Sequence, residues 1–259
     1  MVRETWSGFK GRVFVKVLLT GAAGFAGLGG VEVLGRDHWL RCADIRTSPQ
    51  PRDGETIICD LTNPADAERA VAGIDAVVHM AMGPVPGEDD APDLLMRTNV
   101  VATANLLWAA RREGINRFVL MSSGAVIEDY WPETPWIHAA LPHRFQGLYC
   151  LTKSLQERLA EQYAVEHGMT IAALRPWVIV DSRLNLHRFT DRLSRDDRDY
   201  FGFVCRYDLA EACNLALAAD LQGFQPFHIM ATDEGCRRFD VARTTAMLGW
   251  RPTATFDDL

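Results

Sequence analysis

The chain alternates short, continuous apolar runs with longer segments in which apolar residues recur every three or four positions. Continuous runs of this kind are typical of buried parallel strands, and the longer segments are typical of helices that cross over them. The predicted strands are 13–20, 39–44, 56–59, 75–81, 117–123, 169–180 and 227–231, and the predicted helices are 25–35, 64–73, 93–113, 147–168, 208–219 and 239–248. The pattern therefore predicts an α/β fold with a doubly wound parallel sheet.

Glycines spaced three apart follow the first predicted strand. Gly21, Gly24 and Gly27 lie where the chain is expected to turn from strand into helix. A tight turn without side chains exposes backbone N–H groups at a helix N-terminus, and these groups attract a phosphate. A plain surface turn is the alternative. Gly29 and Gly30 make the following helix intrinsically weak, so packing on the sheet must hold it and a bound cofactor is expected to order it in part.

An acidic residue ends the second predicted strand. Asp44 lies about 20 residues beyond the glycines, where a carboxylate accepts hydrogen bonds from the adenosine ribose and repels a 2′-phosphate. A solvated acid at a strand end is the alternative. Because no basic residue comes immediately before Asp44, the sequence predicts NAD rather than NADP as the cofactor. The fourth strand ends at Ala81, whose backbone is expected to line the same cofactor.

Composition and charge exclude several classes of function. The net charge of −7, without a cluster of lysine and arginine, argues against nucleic acid as a partner. No apolar run reaches the ~18 residues of a membrane span, and residues 1–12 contain no apolar core of signal-peptide length, so we expect a cytoplasmic protein. The six cysteines lack C-x-x-C spacing and are expected to be reduced. No metal site is expected, since histidines and cysteines show no ligand spacing.

Hydroxyl groups and a tyrosine–lysine pair occupy the region where sites in parallel sheets collect. Ser122 and Ser123 end the fifth predicted strand, while Tyr149 and Lys153 lie four residues apart on the next helix and share one face. A free tyrosine has a pKa near 10, and a lysine cation close to the phenol favours the phenolate, which can remove a proton from a substrate hydroxyl. Taken alone, such a pair is more often an ordinary surface pair.

The order of these motifs resembles the extended short-chain dehydrogenase/reductase superfamily, in its NAD-dependent epimerase/dehydratase group. The resemblance runs from about residue 17 to residue 252 and is carried by Thr20-Gly21-x-x-Gly24-x-x-Gly27, Asp44, Asp60-Leu61, Asn99, Ser122-Ser123, Tyr149-x-x-x-Lys153, Arg175-Pro176 and Leu248-Gly249-Trp250-Arg251-Pro252. It implies a Rossmann-type enzyme with the catalytic trio Ser123, Tyr149 and Lys153. It also implies a homodimer formed through the two long helices.

The resemblance extends to the residues that contact ligands. Residues expected to hold NAD are Gly21, Ala23, Gly24, Phe25, Gly27, Asp44, Asp60, Leu61, Ala81, Asn99, Tyr149, Lys153 and Pro176. Candidates for contact with a small-molecule substrate are Ser123, Trp177, Arg188 and Arg198. The two arginines belong to an arginine-rich segment at 183–198, which is either a site for an anionic substrate or a solvated loop.

The sequence also restricts the class of reaction that the protein is expected to catalyse. Gly124 and Ala125 follow Ser123 where dehydratases of this superfamily carry acids, and the short C-terminal part leaves little room for a nucleotide sugar. The length and the Gly-Trp-Arg-Pro ending are most similar to uronate dehydrogenase-like members, which oxidise a sugar acid to a lactone, although the run at 124–127 lacks their polar residues. We therefore expect an NAD-dependent oxidoreductase that takes hydride from a hydroxyl of a small carbohydrate-like substrate, with a uronic acid as candidate. The alternatives are a nucleotide-sugar epimerase and a non-catalytic NAD(P)-sensing protein.

The expected domain organisation follows a change of character after residue 180. Residues 181–199 are charged and show little periodicity. We expect an N-terminal extension at 1–12, an NAD-binding Rossmann domain with the catalytic residues at 13–180, and a small substrate-binding lobe at 181–259. The long loop at 124–146 is expected to be functional, and the loop at 82–92 is a candidate flap.

Overall fold

The structure is a computed structural model that describes residues 14–83, 92–187 and 192–256. The strands are β1 (Lys16–Thr20), β2 (Trp39–Asp44), β3 (Gly54–Ile58), β4 (Ala76–His79), β5 (Arg117–Met121), β6 (Thr170–Pro176), β7 (Val178–Asp181), β8 (Leu186–His187), β9 (Phe203–Cys205) and β10 (Phe224–Ile229). The α-helices are α1 (Phe25–Leu34), α2 (Pro64–Val71), α3 (Pro92–Leu95), α4 (Ala102–Glu113), α5 (Leu148–His167), α6 (Arg206–Ala218), α7 (Asp233–Arg238) and α8 (Val241–Leu248). The predicted extension at 1–12 and most of the candidate flap lie outside the described residues.

Seven parallel strands form the main sheet, in the order β10-β6-β5-β4-β1-β2-β3. One apolar core lies between this sheet and α1, α6 and α8, and a second lies between the other face and α2, α4 and α5. The strand order reverses at β1, which has β2 on one side and β4 on the other. Ligands of such sheets bind in the crevice outside this point. The predicted Rossmann-type fold is confirmed.

The predicted strand at 169–180 is two strands in two different sheets. β6 belongs to the main sheet, whereas β7 pairs with β8 and β9 in a second, three-stranded sheet. The break falls at Trp177, directly after Pro176, which has no N–H group with which to extend the ladder. Both strands are apolar, and for this reason the pattern could not show the break.

The predicted helix at 93–113 is interrupted near its N-terminus. A π-helical segment, Met96–Val101, separates α3 from α4. Within it, Thr98 Oγ1 donates a hydrogen bond to the carbonyl oxygen of Leu94 at 2.7 Å, and the side chain of Asn99 bonds away from the helix. These side-chain bonds compete with the regular helical ladder, and segments of this kind occur frequently at functional sites.

Part of the segment predicted to form a separate lobe belongs to the main layers. β10 completes the main sheet beside β6, and α6 packs against α1. Gly29 permits this packing, because a Cβ atom there would lie 2.7 Å from the carbonyl oxygen of Arg206. Gly30 similarly faces Leu19 of β1, whose Cδ2 atom would be 3.0 Å away. The two glycines therefore let α1 approach its neighbours closely, which agrees with the expectation that packing holds the helix.

Candidate functional site

A cavity of about 440 Å³ opens at the carboxyl ends of the main-sheet strands. Of the residues predicted to hold the cofactor, its lining includes Gly21, Gly24, Phe25, Gly27, Asp44, Asp60, Leu61 and Ala81. Residues that were not predicted also line it, among them Ile45, Arg46, Thr62, Met82 and Ile179. Most of these follow closely on a predicted strand end, and that position is the signal that could have identified them. Ile179 had no such signal, because β7 was not recognised as a separate strand.

The glycine turn forms one wall of the cavity. Gly21 has a φ of +72°, and a Cβ atom there would lie 2.6 Å from the backbone nitrogen of Ala81. A Cβ atom on Gly27 would collide with the carbonyl oxygen of Gly21. Helix α1 begins after Gly24 without a side-chain cap and without an acidic residue in its first turn. Its first N–H groups therefore face the turn without a capping side chain, as a pyrophosphate site requires.

Asp44 stands at the end of β2 with both carboxylate oxygens held by backbone. Oδ2 accepts a hydrogen bond from the N–H of Ala23 at 3.0 Å, and Oδ1 accepts one from the N–H of Arg46 at 3.0 Å. The N–H of Ala23 thus orients Asp44, and Ala23 itself is outside the cavity lining. The Nε atom of Arg46 lies 3.8 Å from Asp44 Oδ1, so a cation and a carboxylate share this end of the cavity.

Lys153 brings the tyrosine helix to the end of β5. Its side chain is buried, and Nζ donates a hydrogen bond to the carbonyl oxygen of Met121 at 2.9 Å. Met121 ends β5 and lines the cavity. Tyr149 lies half-buried in the first turn of the same helix, α5. Although Tyr149 and Lys153 are outside the cavity lining, this bond places their helix beside it.

Ser123 begins the 3-10 helix Gly124–Tyr130 directly after β5. Its Oγ accepts a hydrogen bond from the N–H of Ala125 at 3.2 Å. A hydroxyl that accepts in this way can still donate its proton to a substrate oxygen. Ser122 points differently, because its Oγ donates to Glu157 Oε1 at 2.5 Å inside the protein. Of the two adjacent serines, Ser123 is therefore the one suited to contact a ligand.

Asn99 is fully buried and ties two parts of the site together. Its Oδ1 accepts a hydrogen bond from the N–H of Gly83 at 2.9 Å, and its Nδ2 donates to Thr152 Oγ1 at 2.9 Å. Gly83 lines the cavity, whereas Asn99 does not. The side chain of Asn99 thus links the cavity wall to α5.

His79, which was not predicted as a site residue, connects β1, β4 and α4 beneath the cavity. Its Nδ1 lies 2.7 Å from Thr20 Oγ1 and its Nε2 lies 3.0 Å from Thr103 Oγ1. Because Thr103 donates its own proton to the carbonyl oxygen of Asn99 at 2.6 Å, it accepts from His79 Nε2–H. Burial first, and then the charge of Lys153, lower the pKa of His79 to about 3. The ring is therefore neutral at physiological pH.

Glu157 and Arg175 form a buried ion pair behind the serines. Arg175 donates from Nε to Glu157 Oε1 at 2.8 Å and from Nη2 to Oε2 at 2.6 Å. Burial alone would raise the pKa of Glu157, but hydrogen bonds from Arg175 and His143 and the charge of Arg175 lower it to about 2. Arg175, seen in the sequence only as part of a strand-ending motif, thus keeps a carboxylate ionised beneath the site.

Trp177 lies beside the residue that follows Ser123. A Cβ atom on Gly124 would be 2.5 Å from Trp177 Cε3, and the indole packs against Phe201 and Phe239 with ring centroids 5.0 and 5.6 Å away. The ring is half-buried. Pro176, predicted to contact the cofactor, is paired with Ile229 in the sheet and is outside the cavity lining.

Of the two arginines suggested for an anionic substrate, only Arg198 lies within the described residues, and it is not part of the cavity lining. The side chain of Arg198 is 91% exposed and pairs with its neighbour Asp199 at 3.3 Å. Arg188 lies outside the described residues. Within the described ranges, no group of three or more His, Cys, Asp or Glu residues could hold a metal ion, and no helix has the length and hydropathy needed to cross a bilayer.

The fold and the glycine-lined cavity define a dinucleotide-binding protein of the Rossmann type. More narrowly, residues 17–195 match the NAD dependent epimerase/dehydratase family, and the chain belongs to that family. The cavity fits the family's cofactor, since the glycine turn leaves room for a pyrophosphate and Asp44 can accept from ribose hydroxyls. NAD is accordingly the cofactor of this protein.

Several dehydrogenases are similar to this chain in sequence or in structure. A uronate dehydrogenase from Pseudomonas putida is 33% identical over 191 residues, which cover 71% of this chain and 68% of that protein. A 3-beta-hydroxysteroid dehydrogenase from Mycolicibacterium neoaurum is 33% identical over 171 residues, or 62% of this chain, and the chain spans only about half (46%) of its length. A mutant uronate dehydrogenase from Agrobacterium tumefaciens, complexed with NAD, has a similar structure with a TM-score of 0.79 and 26% identity, covering 93% of this chain and 86% of that one.

Proposed function

We propose that the protein is an NAD-dependent oxidoreductase that oxidises a hydroxyl group of a small carbohydrate-like substrate, with a uronic acid as the first candidate. The observation that carries the proposal is the bond from Lys153 Nζ to the carbonyl oxygen of Met121, which joins the helix of Tyr149 to the strand end that presents Ser123. Two of the relatives named above are uronate dehydrogenases, which supports the choice of substrate.

The catalytic roles follow from the chemistry of the three side chains. Ser123 donates a hydrogen bond to the substrate oxygen and orients it. Tyr149, as the phenolate, accepts the proton of the substrate hydroxyl. Lys153 places a buried positive charge on the same helix face, which stabilises the phenolate. NAD, when bound, would accept the hydride from the substrate carbon that bears this hydroxyl group.

A second candidate substrate is an alcohol on an apolar ring system. Trp177 offers an aromatic surface next to Gly124, and neither Gly124 nor Ala125 has a side chain that could bind sugar hydroxyls. This arrangement suits an apolar substrate, and one relative is named a 3-beta-hydroxysteroid dehydrogenase. The roles of Ser123, Tyr149 and Lys153 are the same for both substrates.

The test is the formation of NADH with a matched panel of alcohols. The panel pairs each uronic acid with its neutral sugar and adds one 3β-hydroxysteroid. NADH formed with uronic acids but not with the neutral sugars supports the first candidate, and NADH formed only with the steroid supports the second. Conversion of a nucleotide sugar to its epimer, with no net NADH, would replace both by an epimerase.

We also propose that two copies of the chain associate through the helices around Val101 and Leu151. These side chains are 42% and 40% exposed, and Leu94 nearby is 55% exposed. Asn99 bonds to Thr152, so the two apolar positions lie on adjoining segments. Light scattering should give the mass of a dimer for the wild type and of a monomer for Val101→Glu with Leu151→Glu. Leu184→Glu, at an exposed position elsewhere, is the control that keeps the dimer.

The cellular location and the division of labour along the chain are further proposals. All six cysteines lie in the described ranges and are free, which supports a reducing compartment such as the cytoplasm. We assign NAD binding and catalysis to residues 13–180 and substrate binding to residues 181–259. Ile179 lines the cavity and Trp177 adjoins Gly124, so the last residues of the first region also belong to the site.

A further inference from the structure

A chain of buried polar contacts runs from the 124–146 loop to the catalytic strand end. Its outermost member is His143, whose side chain is 11% exposed. The Nδ1 atom of His143 lies 2.7 Å from Ser154 Oγ, and Nε2 lies 3.0 Å from Glu157 Oε2. Both partners are on α5, the helix that carries Tyr149 and Lys153.

The direction of the bond between His143 and Glu157 follows from the state of the carboxylate. Glu157 is ionised, and an ionised carboxylate only accepts hydrogen bonds. In this hydrogen bond His143 Nε2–H is therefore the donor and Glu157 Oε2 the acceptor. Nη2 of Arg175 lies 3.1 Å from the same ring nitrogen and also donates to Oε2. The two donors converge on one oxygen, which fixes the ring edge against the ion pair.

The other carboxylate oxygen leads to the catalytic serine. Glu157 Oε1 accepts from Ser122 Oγ at 2.5 Å, and the backbone N–H of Ser122 donates to Leu174 O at 2.8 Å. Successive side chains of an extended chain point to opposite sides. Holding the Ser122 side chain against Glu157 therefore turns that of its neighbour Ser123, which is in extended conformation, to the opposite side.

Backbone hydrogen bonds join the end of the 124–146 loop to its beginning. The N–H of Arg144 donates to the carbonyl oxygen of Val126 at 3.0 Å, and the N–H of Asp129 donates to that of Arg144 at 3.1 Å. Arg175 Nη1 donates to the carbonyl oxygen of Ala139 at 2.9 Å. The segment that begins at Ser123 is thus closed on itself and fastened to α5 next to Arg144, by His143.

We propose that His143 is a positioning residue for the reaction. Its bond to Glu157 holds the returning loop against α5 and keeps Ser123 in register with Tyr149. The inference rests on the proposed function, in which these two side chains act on the substrate. Catalytic groups must be held within a fraction of an ångström, so a loosened connection should lower kcat while leaving NAD binding intact.

Substitutions of His143 can distinguish the contribution of the Nε2 bond from that of the Nδ1 bond. Glutamine places its amide nitrogen near the position of Nε2 and preserves the bond to Glu157, whereas asparagine mimics Nδ1 and preserves only the contact with Ser154. We expect His143→Asn to lower kcat by about tenfold, with KM for NAD unchanged within about twofold, and His143→Gln to restore kcat. His138→Asn is the matched control, since His138 is an exposed histidine of the same loop that pairs with Asp240 at 3.2 Å, and it should behave as the wild type.

A second readout does not depend on turnover. Amide hydrogen exchange at Arg144 and Asp129, measured with NAD bound, should be faster in His143→Asn than in the wild type and unchanged in His143→Gln. Full kcat in His143→Asn, an equal loss in His143→Gln, or unchanged exchange at both amides would overturn the proposal. If no alcohol yields NADH with the wild type, the proposed function has failed, and the exchange experiment still decides the role of His143 in holding the loop.

Discussion

Nζ of Lys153 donates a hydrogen bond to the main-chain carbonyl oxygen of Met121, at 2.9 Å. Met121 is the last residue of β5 and stands two residues before Ser123. This one bond therefore fixes the helix of Tyr149 against the strand end that carries the serine. The ammonium group is buried, and it lies on the helix face that also carries Tyr149 one turn earlier.

The phenol of Tyr149 is the first group to test. Replacing Tyr149 by Phe removes the group that accepts the substrate proton, and we expect kcat to fall by about 10²- to 10⁴-fold. NAD binding, measured by titration, should change little. The mechanism is wrong if Tyr149→Phe turns over a substrate at the wild-type rate.

Cofactor preference should depend on the charge of Asp44. Asp44→Asn retains an oxygen to accept from Ala23 N–H but no longer repels a 2′-phosphate, and Arg46 Nε is 3.8 Å from that carboxylate. We expect the preference for NAD over NADP to fall by about tenfold, equivalent to about 1.4 kcal/mol. Titrations of both cofactors measure this ratio. Asp60→Asn, at the same cavity, is the control and should alter the ratio less.

The stability of the fold should fall as the pH is lowered below about 6.5. The pKa of His79 is lowered to about 3 in the folded protein from an ordinary value of 6.5, so the unfolded chain binds the proton first. The contribution of neutral His79 to the free energy of unfolding is fully present above pH 6.5. It is lost as the pH falls toward 3, and the loss amounts to at most about 5 kcal/mol.

Denaturant unfolding at several pH values, compared between wild type and His79→Gln, measures the contribution of this histidine. The slope of unfolding free energy against pH should be smaller in the variant between pH 6.5 and 3. His138→Gln is the control, since His138 is half exposed, and it should retain the wild-type slope. Equal slopes for His79→Gln and the wild type would rule out the neutral buried ring.

Replacing the glycines of α1 by alanine should lower the stability of the protein, although alanine has the higher helix propensity. Gly29→Ala would place a Cβ atom 2.7 Å from a backbone oxygen of Arg206, which cannot move without shifting α6. We expect a loss of about 1–3 kcal/mol in unfolding free energy. Gly30→Ala would meet only the Leu19 side chain at 3.0 Å and should cost less. Gly29→Ala that stabilises the protein would contradict the close contact between α1 and α6.

The site residues that were predicted from the sequence are those whose position follows from the local sequence pattern. Gly21 and Asp44 each stand at a strand end, and a strand end is visible in the apolar pattern. Parallel strands then bring such residues to one edge of the sheet, so their proximity follows from the fold class. Most strands and helices of the main sheet matched the predicted ones for the same reason, with shifts of a few residues at their ends, whereas the division of 169–180 into β6 and β7 and the short elements β8, β9 and α7 were not predicted.

The supporting contacts could not be predicted, because they join residues that no local pattern relates. His79 and Thr103 are 24 positions apart, and Ser122 and Glu157 are 35 apart. Each is an ordinary polar residue in an apolar context until tertiary packing supplies its partner. The π-helical segment at Met96–Val101 was equally hidden, since the bonds of Asn99 to Gly83 and Thr152 cross between elements.

The place of β10 beside β6 limits how this fold can be recombined with its relatives. An exchange of everything after residue 180 would carry away an edge strand of the main sheet and the helix that covers Gly29. The unit that could be transplanted to alter substrate choice is smaller: the three-stranded sheet of β7, β8 and β9 with the turn through Trp177. A graft limited to that unit leaves the main sheet with all seven of its strands and leaves the close contact between α1 and α6 in place.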